Sequence, residues 1–354
     1  MSLSLYEKLD LAAASQHSGD PQEAMPICLG GPPGGGKTSV WRSWAESRNY
    51  WLDPWGLSKT LTPDLGGMYM PNDDKSSIVH IRTGRILGEN VPEGYDKVLI
   101  LFDEFDKASP AQQGALCAYI EGRNVDGVKI PDNVIFGFTM NRKQDQCGGN
   151  QIIHPMRNRM WYIDMPSDAE AWLPVAAKSG VHPLVMAFIK NNPGKLNQFD
   201  PKSKDMSYAT ERSWTKAGRM VNRLDDINDM ADVVRGIVGD ANAIELSGWL
   251  KLGGQMTPIA DIYDNPEDAG IPSQPDVTYA IICNLMNDFS CIGKSGEEIG
   301  RDRAESVIKY LRRMEDSFAV FGFRMLGECN PDFKNSTEEW AKFRRDYSGL
   351  MSLQ

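Results

Sequence analysis

Short, continuous apolar runs in the first half of the chain give way to purely helical periodicity in the second. Residues 25–29 form a brief apolar run that ends in glycine, and residues 98–102 form another, bounded by Lys97 and Asp103. Residues 134–140 form a third strand-like run and residues 160–165 a short fourth. Runs that are apolar at every position suit strands of a parallel sheet covered on both faces. Between them the spacing turns helical. Residues 3–14 read as a short amphipathic helix, and residues 38–47 place Val40, Trp41 and Trp44 on one side. Residues 109–121 open with Ser109 as a cap and Pro110 in the first turn, as helix starts do. Strands alternating with helices predict a parallel α/β sheet domain over residues 1–165.

Two segments interrupt that alternation. Residues 66–93 contain 78–82 and 85–87 around Thr83-Gly84 and read as an inserted hairpin. Residues 124–133 hold Asp126-Gly127, a two-residue hairpin turn signal. After Pro166 the strand signals stop. Residues 168–178, 183–191, 212–225, 229–238 and 242–252 read as helices, so a helical domain is expected over 166–252. A connection rich in Gly, Pro and Asp (253–274) leads to a helical C-terminal region within 253–354, with helices near 276–290, 299–327 and 337–349. Its last stretch places Trp340, Phe343, Tyr347 and Leu350 at near-helical spacing. That aromatic face either packs on the chain's own helices or docks to a neighbour.

Composition narrows the class. At 354 residues the chain is long enough for two cores, and 41% hydrophobic with 24% charged residues is ordinary for a globular protein. The net charge of -10 argues against a general polyanion binder. Residues 1–15 carry Lys8 and no continuous apolar stretch, which does not match a secretory leader. The six cysteines form no Cys-x-x-Cys pair, and the four histidines fall at no metal-ligand spacing. Cys28 and Cys117 read as small core residues, and a reducing cytosol is the expected compartment.

The chemistry is concentrated in three places. Gly31-Pro32-Pro33-Gly34-Gly35-Gly36-Lys37-Thr38, followed by Ser39, has the full spacing of a phosphate-binding loop between a strand and a helix. Glycines let successive backbone N–H groups turn toward phosphate oxygens, and the helix adds its positive end. Lys37 supplies charge to the β- and γ-phosphates of ATP, and the Thr38 hydroxyl is a candidate ligand of Mg²⁺. Asp103 ends a buried strand, where the metal needs an oxygen, and Glu104 is a candidate base for polarising the attacking water. Asp106 and Lys107 read as surface or interface charges. The third place is Phe136-Gly137-Phe138-Thr139-Met140-Asn141-Arg142. Its Asn141 either orients the attacking water or simply turns the chain.

With those three motifs followed by helices alone, the chain resembles an AAA+ ATPase, a P-loop NTPase with a helical lid. More narrowly it is similar to compact phage and bacterial members of the MoxR branch. The phrases that carry this are Thr62-Pro63-Asp64-Leu65-Gly66-Gly67, Asn141-Arg142-Lys143-Gln144-Asp145 and Ile153-His154-Pro155-Met156-Arg157-Asn158-Arg159. His182 to Phe188 and Thr210-Glu211-Arg212-Ser213-Trp214 add to them. The resemblance implies a homo-oligomeric ring, usually a hexamer, in the bacterial cytoplasm or a phage-infected host cell. It implies ATP between subunits and a finger arginine acting in trans. By motif position that arginine is Arg159, with Arg157 as the fallback. Arg212 matches the nucleotide-sensing lid arginine, although Glu211 stands where a proline is usual and could pair with it. The 66–93 insert then faces a central pore or a partner, with Met68, Tyr69 and Met70 either gripping a substrate or tucked against the sheet, and the 124–133 hairpin is a second pore-side loop. The work output expected from the resemblance is remodelling of a protein partner, often a von Willebrand factor A-type protein. The competing readings are a nucleic-acid motor or loader on the same core, and a small-molecule kinase. The motor draws on Arg301, Arg303, Lys309, Arg312 and Arg313 of one helix, whose interleaved acids instead suggest a salt-bridged solvated face.

Overall fold

Alternate residues of the run 98–102 face opposite, covered sides of one sheet, which explains why that run lacks polar positions. The computed structural model describes residues 3–81, 84–89, 91–125, 127–145, 147–295, 300–330, 333 and 338–347. The chain divides into two compact units, Met1–Pro166 and Ser167–Gln354. In the first, β1 (Ile27–Gly31), β2 (Tyr50–Gly56), β5 (Lys97–Asp103), β8 (Val134–Asn141) and β9 (Trp161–Asp164) form a parallel sheet in the order β2-β5-β8-β1-β9. Leu99 and Leu101 of β5 join the core under α1 (Leu5–His17) and α2 (Lys37–Ser47). Ile100 and Phe102 join the opposite core with Leu116 and Ile120 of α4 (Pro110–Gly122). The Ser109 hydroxyl accepts from Gln112 N, and Gln112 reaches back to the Ser109 N–H, so α4 starts on a full capping box.

Trp41 fixes α2 to the sheet. Its indole N–H donates to Phe138 O at 3.2 Å, and its ring lies over Gly137, where a Cβ would come within 2.8 Å of it. Gln16 docks α1 in a similar way, exchanging hydrogen bonds with both backbone groups of Phe136 at 2.8 and 3.1 Å.

The first insert differs from its expected form. A short helix α3 (Thr62–Gly66) leads into a hairpin of β3 (Met68–Pro71) and β4 (Ile78–Ile81), turning at 72–77 rather than at Thr83-Gly84. Asn72 N donates to Ser77 O at 3.0 Å and Ser76 N to Asp74 Oδ1 at 2.9 Å, so polar side chains close this turn locally. Residues 84–87 form a 3₁₀ turn whose Ile86 and Leu87 are buried in the sheet core, which removes them from any exposed strand. Arg82 and Thr83 lie outside the described residues. The second hairpin pairs β6 (Asn124–Val125) with β7 (Val128–Lys129), and Asn124 Oδ1 accepts from Gly127 N at 2.7 Å. Gly127 has a positive φ of 86°, and Asp126 lies outside the described residues.

Among its described residues the second unit has helices and connecting loops and no strand. It comprises α6 (Ala169–Lys178), α7 (Pro183–Asn191), α8 (Glu211–Val221), α9 (Ile227–Val238), α10 (Asp240–Leu250), α11 (Ile259–Asp264), α12 (Pro275–Ser295), α13 (Arg301–Leu311), α14 (Asp316–Cys329) and α15 (Glu338–Asp346); the sheet unit's remaining helix, α5 (His154–Arg157), precedes β9. One hydrophobic cluster joins residues from Ala169 to Phe343. The expected 299–327 helix is broken at 312–315, where Glu315 turns to an extended ψ of 142° and α14 restarts. The expected connection at 253–274 contains α11, held by the buried Ile262. Trp340 and Phe343 stack on Phe323 of α14 with centroids 3.9 and 3.6 Å apart, so the aromatic face packs on this unit's own helix. Leu350 lies outside the described residues. Among the described residues no helix is long and apolar enough to cross a membrane.

Candidate functional site

The end of β1 and the start of α2 are joined by a loop that only glycine-rich sequence can form. Gly34 and Gly36 have φ values of 74° and 80°, a region costly for side-chain-bearing residues. Gly31 is pressed against β9's end, where a Cβ would stand 2.6 Å from Met165 O. Lys37 is buried, and its ammonium donates to the carbonyls of Gly31 and Pro32 at 2.9 Å each and to Asn141 Oδ1 at 3.2 Å. With its amide oxygen taken by Lys37, Asn141 keeps its NH₂ donors for other groups. Thr38 follows on the first turn of α2, and its hydroxyl donates to Asp103 at 3.2 Å to either oxygen. Ser39 is exposed on the same turn.

Strand register brings the acidic residues to this loop. β8 lies between β5 and β1, so the end of β8 is next to the strand that leads into the glycine loop and the end of β5 is next but one. Asp103 accepts from the hydroxyls of Thr38 and Thr139 and from Glu104 N at 3.2 Å. Thr139 is buried on β8, and its hydroxyl also accepts from Glu104 N at 3.3 Å. Glu104 takes left-handed φ and ψ of 57° and 44°, an uncommon geometry for a residue with a side chain. Its carboxylate is exposed and accepts a hydrogen bond from Ser58, two residues beyond β2. A hydroxyl and a carboxylate converging at 3.2 Å are hard oxygen donors of the kind Mg²⁺ takes, so the residues present fit that ion.

Ser58 and Thr139 had no role in the sequence reading. Thr139 was detectable in principle, as a lone hydroxyl one step beyond the Phe102–Phe138 register pair and hence opposite Asp103. Asp106 corrects the expectation of a surface charge. It is 5% exposed, because its carboxylate accepts from Asn141 N at 3.1 Å and its carbonyl from Asn150 N at 2.6 Å. It thereby holds the end of β8 that presents Asn141. A cavity of about 1000 Å³ opens beside Asn141, Arg142, Tyr162 and Asp164. None of Gly31–Thr38 lines it, so it is distinct from the space around the glycine loop.

Lys37, Thr38, Asp103 and Asn141 are therefore tied together by direct hydrogen bonds, with Glu104 beside them. Among the described residues, Arg157 and Arg159 make no hydrogen bond to that cluster. Arg159, just beyond α5, pairs with Glu121 of α4 at 2.6 Å and donates to Pro155 O at 2.9 Å. Arg157 is exposed, with Nε bound to Ile152 O at 3.0 Å. Arg212 is exposed on the first turn of α8 in the second unit. Glu211 does not divert it: Glu211 is buried and accepts from Ser167 and from Asn197 at 2.8 Å. Its burial turns the carboxylate into the unit while Arg212 points out.

Parallel strands ordered β2-β5-β8-β1-β9, a glycine loop between β1 and α2, and an acidic residue closing β5 define the architecture. The fold is a P-loop α/β fold. No protein-family model matches the sequence, and no curated protein matches it either. Solved structures that align include two variants of RuvB from Thermotoga maritima. One is 14% identical over 85% of this chain and 80% of that chain with a TM-score of 0.37. The other is 13% identical over 82% and 81% with a TM-score of 0.36. The Thermotoga maritima RuvB described as a Holliday junction branch migration motor aligns at 14% identity over 85% and 80%, with a TM-score of 0.34. Likeness at this level says nothing of what this chain acts on.

Proposed function

We propose that this protein is a Mg²⁺-dependent ATP hydrolase that works as a homo-oligomeric ring, of the MoxR-like kind found in phages and bacteria, and couples turnover to remodelling of a protein partner. The hydrogen-bonded convergence of Lys37, Thr38, Asp103 and Asn141 carries the first half of this reading. Lys37 would engage the terminal phosphates, and Thr38 and Asp103 would hold Mg²⁺, whose charge offsets that of the phosphates. Glu104 accepts a proton from the attacking water, Asn141 orients that water, and Arg159 completes the site of the adjacent subunit. Arg212 reports nucleotide state to the helical unit.

Ser58 tunes this base. A hydrogen bond to an ionised carboxylate is worth ~1.5–3 kcal/mol, and part of it must be given up when Glu104 turns to water. Ser58→Ala is therefore expected to raise basal kcat by about 2–10-fold with KM for ATP unchanged. A steady-state assay that finds lower or equal kcat would remove Ser58 from the mechanism.

The choice of a protein partner rests on the β3–β4 hairpin. Met68, Met70, Val79 and Ile81 share one face and Tyr69, Pro71, His80 and Ile78 the other, and the apolar members are exposed on both faces. Tyr69 and Ile78 reach 69% and 72% exposure, which excludes their being tucked against the sheet. The turn carries Asp73, Asp74 and Lys75, so acids outnumber bases there, and the strands carry no Lys or Arg, so the exposed apolar surface suits polypeptide better than phosphate backbone. Most of the basic residues of the motor reading are engaged within the chain, and Arg303 lies 5.4 Å from the Tyr263 ring centroid. Lys309 pairs with Glu305 at 3.5 Å, Arg312 with Glu339 and Asp346 at 3.7 and 2.5 Å, and Arg313 donates to two carbonyls. The side chain of Arg301 lies outside the described residues. A permanently unfolded polypeptide, or a von Willebrand factor A-type protein, is expected to stimulate ATPase turnover, and Tyr69→Ser/Ile78→Ser to lose that stimulation. Stimulation by single- or double-stranded DNA and not by polypeptide would overturn the partner assignment, and a monomer that phosphorylates a metabolite would overturn the ring.

A further inference from the structure

Glu121 occupies the last turn of α4, where the helix dipole disfavours a carboxylate. Its side chain is 63% exposed, so no buried environment explains the choice. Among the described residues its ion-pair partner is Arg159, at 2.6 Å. The pairing engages Arg159 Nη2, while Nη1 donates to Pro155 O at 2.9 Å, leaving the arginine side chain 26% exposed. Both terminal nitrogens are thus held within one subunit. Among the described residues, the neighbouring Arg157 is tethered through Nε to a carbonyl. A guanidinium clamped on a carboxylate uses the same planar fork that it would present to phosphate oxygens.

We infer that Glu121 is a positioning residue that holds the Arg159 guanidinium inside its own subunit and competes for it with the terminal phosphate of ATP bound to a neighbouring copy. The inference rests on the reading of Arg159 as an arginine acting in trans. The pair sets the direction of the side chain before assembly and opposes its capture afterwards. Exposed ion pairs contribute little, so the opposition is worth about two- to fivefold in the concentration at which subunits associate. Salt weakens the pair and narrows that margin.

The test is sedimentation of the full chain with Mg²⁺ and a non-hydrolysable ATP analogue, for the parent, Glu121→Gln, Arg159→Ala and the double variant. Glutamine keeps the shape of the side chain and removes its charge. Glu121→Gln is expected to assemble at about two- to fivefold lower concentration than the parent, with the gap closing as NaCl is raised. Arg159→Ala is expected to assemble at higher concentration, and adding Glu121→Gln to it should change nothing, since the competition no longer exists. An equal shift in both backgrounds would mean that Glu121 acts through the helix end, and would overturn the inference. A silent Glu121→Gln beside an impaired Arg159→Ala would overturn it while leaving the trans reading standing. Arg159→Ala assembling like the parent would overturn the trans reading, and the inference with it.

Discussion

Glu104→Gln is expected to keep Mg²⁺·ATP binding within about twofold of the parent while lowering turnover by about 10²–10⁴-fold, the usual contribution of a positioned base. The substitution isolates one property. Glutamine retains the length of the side chain and an amide oxygen able to accept from Ser58, as the carboxylate does now. The backbone of residue 104 keeps its donations to Asp103 and Thr139, so the Asp103 carboxylate stays in place. Lys37 and Thr38 are untouched and belong to the other half of the cluster. Only the capacity to take a proton is lost. Nucleotide titration of the variant, beside a coupled phosphate-release assay, separates binding from turnover. Hydrolysis at near the parent rate would remove Glu104 from the base role and direct attention to a water chain.

The parts of the site that were legible in the sequence are those whose chemistry requires a local run of residue types. The loop at 31–38 demands glycines at fixed offsets, and β5 and the first part of β8 demand apolar runs because both faces are covered. β2 was not legible. Its sequence includes Asp53 and Pro54, which argue against a central strand. The strand is an edge of the sheet, where proline is tolerated, and Asp53 is paired by Arg85 from the 3₁₀ turn much later in the chain. Arg85 also lies 4.4 Å from the Trp55 ring centroid, so one distant residue supports two positions of the strand. Such compensation is set by tertiary contact and leaves no local pattern.

The same limit applies to Ser58, Thr139 and Asp106. Each acts through a partner on another strand or loop: Ser58 on Glu104, Thr139 on Asp103, and Asp106 on Asn141. A lone serine after an unrecognised strand carries no signal until register is known. The hairpin insert was found but misplaced, because Thr83-Gly84 offers a turn signal while the actual turn uses Asn72 and Asp74 side chains. Burial decided between them, since Ile86 and Leu87 stabilise the sheet core more than they would a solvated strand.

The second large effect is expected from Arg159→Ala, with a loss of about 10³–10⁵-fold in turnover if the guanidinium stabilises transition-state charge in trans. Loss alone would not establish where the arginine acts, because Arg159 also braces α5 against α4 through Pro155 O and Glu121. Mixing decides it. An Arg159→Ala subunit keeps its own Lys37, Thr38, Asp103 and Glu104, and a Glu104→Gln subunit keeps its own Arg159. Each variant is inactive by itself, yet a ring containing both has interfaces where the first supplies the base and the second the arginine. Titrating one inactive variant into the other is therefore expected to restore hydrolysis, passing through a maximum near equal proportions. If Arg159 acted within its own subunit or merely braced α5, no mixture would recover activity. If Arg157→Ala complements in this way and Arg159→Ala does not, the finger is Arg157, and the Glu121 pair serves only to hold its neighbour.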